Sequence, residues 1–270
     1  MTQRGLWIDD AVSRILRPEY WDEFRDMGYD TAALMLDTMQ RGWDPRIREV
    51  ELQYVVEMIL ARDRQAAYTV WPEPSKDQID DMVRDLDYWC KFGVVEVEVD
   101  VEHLWKQKYL RGFRTMSAAA DYLVKRLDDL KYAHDVRIAL TTHTGHAEAQ
   151  PGALLTPLVD RVYAQLYSCR KDWRGTAIDF DDRRMGPGHR QRRGIAQFQQ
   201  IPGVSTGEVG LCIGQALFSQ KWPGHDYADA LDTALAAALE CDPPEIRDWS
   251  SKVLLGPKPN AGVRSWVLRV

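Results

Sequence analysis

The chain has 270 residues, 45% of them hydrophobic and 28% charged, with a formal net charge of −6. That balance is ordinary for a globular protein and gives no argument for nucleic acid or an anionic membrane as a partner. No stretch approaches the roughly 18 consecutive apolar residues of a spanning helix. Asp9 and Asp10 interrupt the apolar run of the opening segment MTQRGLWIDDAVSRIL, so no signal peptide is expected. Synthesis in the cytoplasm is expected, and any action outside a cell would follow release by something else.

In chain order, GLWID (5–9) reads as a short strand and PEYWDEFRDMG (18–28) as a helix, with Pro18 in its first turn and Gly28 at its end. A second strand follows at 31–37. The segment 44–63 predicts a helix opened by Asp44 and Pro45, with Ile47, Val50, Tyr54, Val55, Met58 and Ile59 on one face. AAYTVW (66–71) reads as the third strand. Ser75 and Gln78 offer a capping box to a helix carrying Ile79, Met82, Val83, Leu86 and Cys90. A fourth strand lies within GVVEVEVDVEHLW (93–105). Then come a helix at 116–134, strands at 136–143 and 161–168, a helix at 189–200, a strand at 208–218 and a helix at 226–240. GVRSWVLRV (262–270) closes the chain as an eighth strand.

There is no internal repeat and no linker rich in Pro, Gly or Ser, so residues 1–270 read as a single domain. Eight strands alternating with helices predict an α/β fold, a (β/α)8 TIM barrel. The rival is an open doubly wound sheet, and no strand is followed by the glycine-rich phosphate loop usual there. Cys90, Cys169, Cys212 and Cys241 match no CxxC metal pattern and read as core thiols. The basic segments RKDWRG and HRQRRG (189–194) read as solvated faces.

The fourth strand carries the strongest signal. Glu96, Glu98, Asp100 and Glu102 alternate with Val95, Val97, Val99 and Val101. Successive side chains of a strand point to opposite faces, so the four acids share one side, spaced roughly 6.5–7 Å apart. Three readings are open: a row aimed into a barrel, a wet face on an antiparallel edge strand, or a buried salt-bridge network. Inside a barrel the acids would repel, and each would need a partner, a proton or access to the mouth. Asp100 and Glu102 lie toward the strand's C-terminal end, the catalytic face of such barrels. Deeper carboxylates would raise the affinity of the last one for its proton, as a general acid requires. Other strand ends supply Asp9 and Asp10, Asp37, Trp71 with Pro72 and Glu73, His143 and His146, Gln165 and Tyr167, and Gln215. Trp7, Trp71, Trp105, Tyr167 and Trp222 are candidate platforms for sugar rings.

EVDVE (98–102) resembles the fourth-strand D-x-D-x-E motif of family 18 chitinases and endoglycosidases, with Glu98 where that motif has its first Asp. DVE (100–102) also resembles the D-x-E of family 25 lysozymes. AQLY (164–167) resembles the strand-six Gln/Tyr region of these enzymes. GQALFSQKWPG and IRDWSSK are similar to segments of barrel domains in bacterial and phage cell-wall hydrolases. The resemblance implies a glycoside hydrolase, lysozyme- or endolysin-like, acting on an N-acetylhexosamine polymer such as peptidoglycan or chitin. Glu102 would be the proton donor and Asp100 its partner, with Glu98 and Asp9 completing the catalytic set. Asp10, Asp37, Trp71, Glu73, His143, Gln165, Tyr167 and Gln215 would bind substrate. No metal or cofactor is implied, and the expected partner is a polysaccharide, with neither nucleic acid nor membrane. Two alternatives stand beside this: a metal-dependent barrel hydrolase using Asp9, Asp10, Glu102, His103, His143 and His146, and a barrel that binds glycan without turnover.

Overall fold

A computed structural model describes residues 2–36, 45–100, 110–142, 159–165, 176–200, 209–214, 224–225, 227–240, 242–249, 251–256 and 261–268. Eight parallel strands close into a barrel in sequence order: β1 (Gln3–Ile8), β2 (Thr31–Met35), β3 (Gln65–Val70), β4 (Glu96–Asp100), β5 (Arg137–Thr142), β6 (Arg161–Gln165), β7 (Val209–Gly214) and β8 (Glu245–Trp249). β8 pairs with β1 through Gln3↔Glu245 and Gly5↔Arg247, which closes the ring and removes any sheet edge. The helices are α1 (Val12–Ile15), α2 (Pro18–Asp26), α3 (Pro45–Leu60), α4 (Lys76–Trp89), α5 (Met116–His134), α6 (His189–Gln199), α7 (Tyr227–Leu239), α8 (Ser251–Leu254) and α9 (Ala261–Val267).

Strand alternation sorts the barrel into a dry outer layer and an inner column. Outward residues such as Leu6, Ile8, Leu34, Tyr68, Val97, Val99, Ile138, Leu140 and Ile246 pack against the helices in one continuous apolar cluster. Each such side chain, fully buried, stabilises the fold by about 1.5–3 kcal/mol. The inner column is separate and small: Trp7, Ala33, Met35, Ala67, Ala139 and Tyr163, with Trp71 packed against them. Small residues on β2, β3 and β5 leave room inside for the charged side chains of β4, β6 and β8.

The six predicted helices form as α2 to α7, with local corrections, while α1, α8 and α9 are not among those the sequence predicts. On α3 the buried face is Leu52, Val55, Val56, Met58 and Ile59, whereas Val50 and Tyr54 are exposed. Val55, Met58 and Ile59 of the expected face are buried, and the face is completed by Leu52, three residues before Val55, and Val56, three before Ile59, along the same stripe. Ser75 is the N-cap of α4, but its side chain makes no capping bond. Its backbone is instead bridged to Arg111, with the Lys76 N–H donating to the Arg111 carbonyl. Thr115 does cap α5, its hydroxyl accepting from the Ala118 N–H at 3.1 Å.

The eighth strand is not the segment expected. Helix α9 (Ala261–Val267) takes up most of the predicted closing strand, 262–270, and EIRDW (245–249) is the strand. Trp266 and Val267 are both buried, and neighbouring positions on a half-buried strand do not share a face.

Candidate active site

β4 enters the barrel between β3 and β5, with Thr69↔Glu98, Glu96↔Arg137 and Asp100↔Thr141 in register. Its acids point inward and its valines outward, so the wet antiparallel edge is excluded. Glu96 and Glu98 are fully buried and Asp100 is 6% exposed. The lower acids are held in an ion-pair network.

Arg247 of β8 is the hub of that network, and its side chain has no exposure. One guanidinium nitrogen, Nη1, donates to Glu98 Oε2. Another, Nη2, donates to Glu96 at 2.9 Å, Glu245 at 2.8 Å and the Tyr163 hydroxyl at 2.7 Å, while Nε reaches Glu245 at 3.0 Å. The guanidinium carbon lies 4.0 Å from the centre of the Tyr163 ring. Below it, Arg161 donates to Glu245 at 2.7 Å and Arg137 to Glu96 at 3.3 Å. β1 accommodates this layer with a glycine: a Cβ at Gly5 would lie 2.1 Å from Glu245 Oε1.

Glu98 sits one pleat above Glu96. The Trp7 indole N–H reaches its carboxylate at 2.9 Å, and the Thr69 hydroxyl donates at 3.3 Å. The Thr141 hydroxyl and Arg247 complete the set. The two buried acids behave oppositely. Burial pushes Glu96 up, but Arg247, Arg161 and Arg137 together outweigh it and hold its carboxyl below the ordinary range. Burial also pushes Glu98 up, and there it prevails, because among the described residues Arg247 is the one guanidinium facing it and the Glu96 charge adds to the rise. Burial opposes the charge on Arg247, yet Glu245, Tyr163, Glu98 and Glu96 hold it firmly protonated.

The rim is built from strand ends. Asp9 follows β1, its carboxylate accepting from the Ser251 hydroxyl at 3.1 Å. Asp10 is committed to the first turn of α1: one oxygen accepts the Ala11 N–H at 2.8 Å and the other pairs with Arg14 at 3.0 Å. Trp71 and Glu73 follow β3 and line a cleft of about 270 Å³ with Leu36, Asp81, Asp85 and Trp89. Trp7, expected as a stacking platform, is buried and bonded to Glu98 instead.

Glu102, Asp37, His143, Tyr167 and Gln215 lie outside the described residues, as do His103 and His146. Gln165 ends β6, and of its side chain nothing is described. Among the described residues, no three His, Cys, Asp or Glu side chains are grouped as a metal would need. No described helix is long and apolar enough to cross a membrane. Sequence reasoning missed Arg247, Arg161, Arg137, Glu245 and Tyr163. The one available signal was the placing of Glu245 and Arg247 two residues apart around Ile246 in EIRDW, and Asp248 next to Arg247 obscures it.

No protein-family model and no curated protein sequence matches the chain. Solved structures do match in shape. A class V chitinase from Pseudomonas fluorescens Pf-5 aligns at a TM-score of 0.64 and 13% identity, covering 100% of this chain and 99% of that one. A GH18 chitinase from Cycas revoluta, in complex with (GlcNAc)3, aligns at 0.61 and 10% identity over 99% of both chains. A putative dihydrodipicolinate synthetase from Pseudomonas aeruginosa aligns at 0.55 and 12% identity, over 100% of this chain and 77% of that one. At such identities the likeness establishes the (β/α)8 barrel, a fold shared by enzymes of unrelated chemistry.

Proposed function

We propose that the chain is a retaining glycoside hydrolase acting on an N-acetylhexosamine polymer, peptidoglycan foremost. The observation that carries this reading is the inward, ascending acid side of β4, which brings Asp100 to the C-terminal end of the barrel strands. Glu102, two residues further on, is assigned as the proton donor to the leaving oxygen. Asp100 then stabilises positive charge on the sugar or orients an acetamido oxygen that attacks from within the substrate. Glu98, enclosed and fully bonded, supports Asp100 from below without touching substrate. Asp9 contributes from the rim, and Trp71 with Glu73 flanks the mouth. Asp10, Asp37, His143, Gln165, Tyr167 and Gln215 are carried as substrate-binding positions from the sequence. Two of the structural neighbours are chitinases, one of them holding a GlcNAc trimer, which supports this choice of substrate class.

The test is hydrolysis of purified peptidoglycan and of chitin oligomers by the parent and by Glu102→Gln. The expected loss is roughly 10²- to 10⁴-fold, the range of a missing general acid. A Glu102→Gln protein as active as its parent removes the assignment. Activity abolished by a chelator and restored by a divalent metal replaces it with the metal-dependent reading.

A further inference from the structure

The buried acids of β4 are held by a side chain 149 and 151 positions away in the sequence. Arg247 bonds directly to both buried carboxylates of β4, and those bonds bridge the barrel from β8. It is fully enclosed, so it meets no substrate. Its orientation is fixed on every side: by Glu245 on its own strand, by the Tyr163 hydroxyl and ring on β6, and by Glu96 and Glu98 on β4. The other described side chains that hydrogen-bond Glu98 are neutral, Trp7 on β1, Thr69 on β3 and Thr141 on β5, and the neighbouring Glu96 carries a like charge. Among the described residues, Arg247 is therefore the one cation bonded to the carboxylate that precedes Asp100 on the inner face of β4.

We infer that Arg247 is a positioning residue for the strand-four acids, setting the height and charge of Glu98 and through it the placement of Asp100. This rests on the glycosidase reading above. A planar guanidinium with five N–H donors serves three carboxylates and the Tyr163 hydroxyl from a fixed fork. A lysine ammonium has three donors on one point charge and cannot keep all of those contacts. Removing that fork loosens the acid row without touching the sugar. Such a loss falls on the transition state and not on ground-state binding.

The experiment measures kcat and KM on soluble chitin oligomers and peptidoglycan strands, with the folded fraction followed by circular dichroism. The variants are Arg247→Lys, which keeps the charge, and Tyr163→Phe, which removes one anchor of the guanidinium and no charge. We expect Arg247→Lys to lose at least tenfold in kcat per folded molecule with KM within threefold. Tyr163→Phe should lose severalfold in the same parameter. Should Arg247→Lys not fold, the Tyr163→Phe split decides the matter. A folded Arg247→Lys with the parent's kcat overturns the inference and leaves the glycosidase reading intact, as does a Tyr163→Phe protein with an unchanged kcat. A parent protein that turns over neither polymer sinks both together.

Discussion

Gly5→Ala adds one methyl group to the inner face of β1. The new carbon would stand 2.1 Å from Glu245 Oε1, 3.2 Å from its carboxyl carbon and 3.0 Å from Arg247 Nε. Ordinary contact begins near 3.4 Å, so the Glu245 oxygen has to retreat by about 1.3 Å from its 2.1 Å position. A free glutamate would swing aside at little cost. This one is pinned by Arg247 at 2.8 and 3.0 Å and by Arg161 at 2.7 Å. The substitution thus combines overpacking, about 1–3 kcal/mol, with weakened hydrogen bonds to a buried charge, about 1.5–3 kcal/mol each when lost. Allowing for relaxation, the expected cost is about 3 kcal/mol, or roughly 6 °C in Tm for a chain of this length. Gly28→Ala is the comparison: nothing lies within 4 Å of its added carbon, and only the left-handed φ of 77° opposes it. That should cost about 1–2 kcal/mol. Thermal melts of both variants, and of Gly5→Ala in a Glu245→Ala background, give the answer. Gly5→Ala melting within about 2 °C of the parent, or costing as much without Glu245 as with it, would falsify the claim that the charged floor is rigid.

The buried acids also set the pH response. Glu96 is held below its ordinary value of 4.5, so its contribution is present above that pH and is lost as pH falls through the folded value. Glu98, raised, acts in the opposite sense: its contribution is full below 4.5 and declines as pH rises through its folded value. Glu96→Gln should therefore lower stability at pH 7 by about 3–5 kcal/mol, the cost of breaking a buried pair. The gap to the parent should narrow below pH 4.5, and a gap constant from pH 7 to pH 3 rules the pairing out. Cys90 is buried, and burial with the nearby Asp87 charge pushes its thiol up to about 12. At pH 8 its thiolate fraction is then about one in ten thousand. Iodoacetamide should modify the Cys90 peptide only after denaturation, as read by peptide mass mapping; rapid labelling of the native protein contradicts this burial.

Much of the architecture was legible because barrel walls are written in apolar alternation. TAALM, AAYTV and EVEVD each place a dry residue at every second position, and helices with a 3.6 period separate them. β8 was illegible for the same reason that strand four stood out. Its inner positions, Glu245 and Arg247, are charged, and of its outer ones only Ile246 is apolar, so EIRDW reads as a polar connection. GVRSWVLRV reads as a strand in sequence, whereas the adjacent burial of Trp266 and Val267 fits a helix. The row of acids was visible in the sequence, but its counter-charges were not. Arg247 lies 149 positions from Glu98, and ring closure alone brings them together.

The arginines of the floor are graded in depth: side-chain exposure falls from 37% at Arg137 to 11% at Arg161 and none at Arg247. The half-exposed Arg137 meets solvent at the foot of the barrel, and charge of one sign follows the other inward from it, through Glu96 to the enclosed Arg247, so the acids of β4 are anchored from below by a ladder of alternating sign.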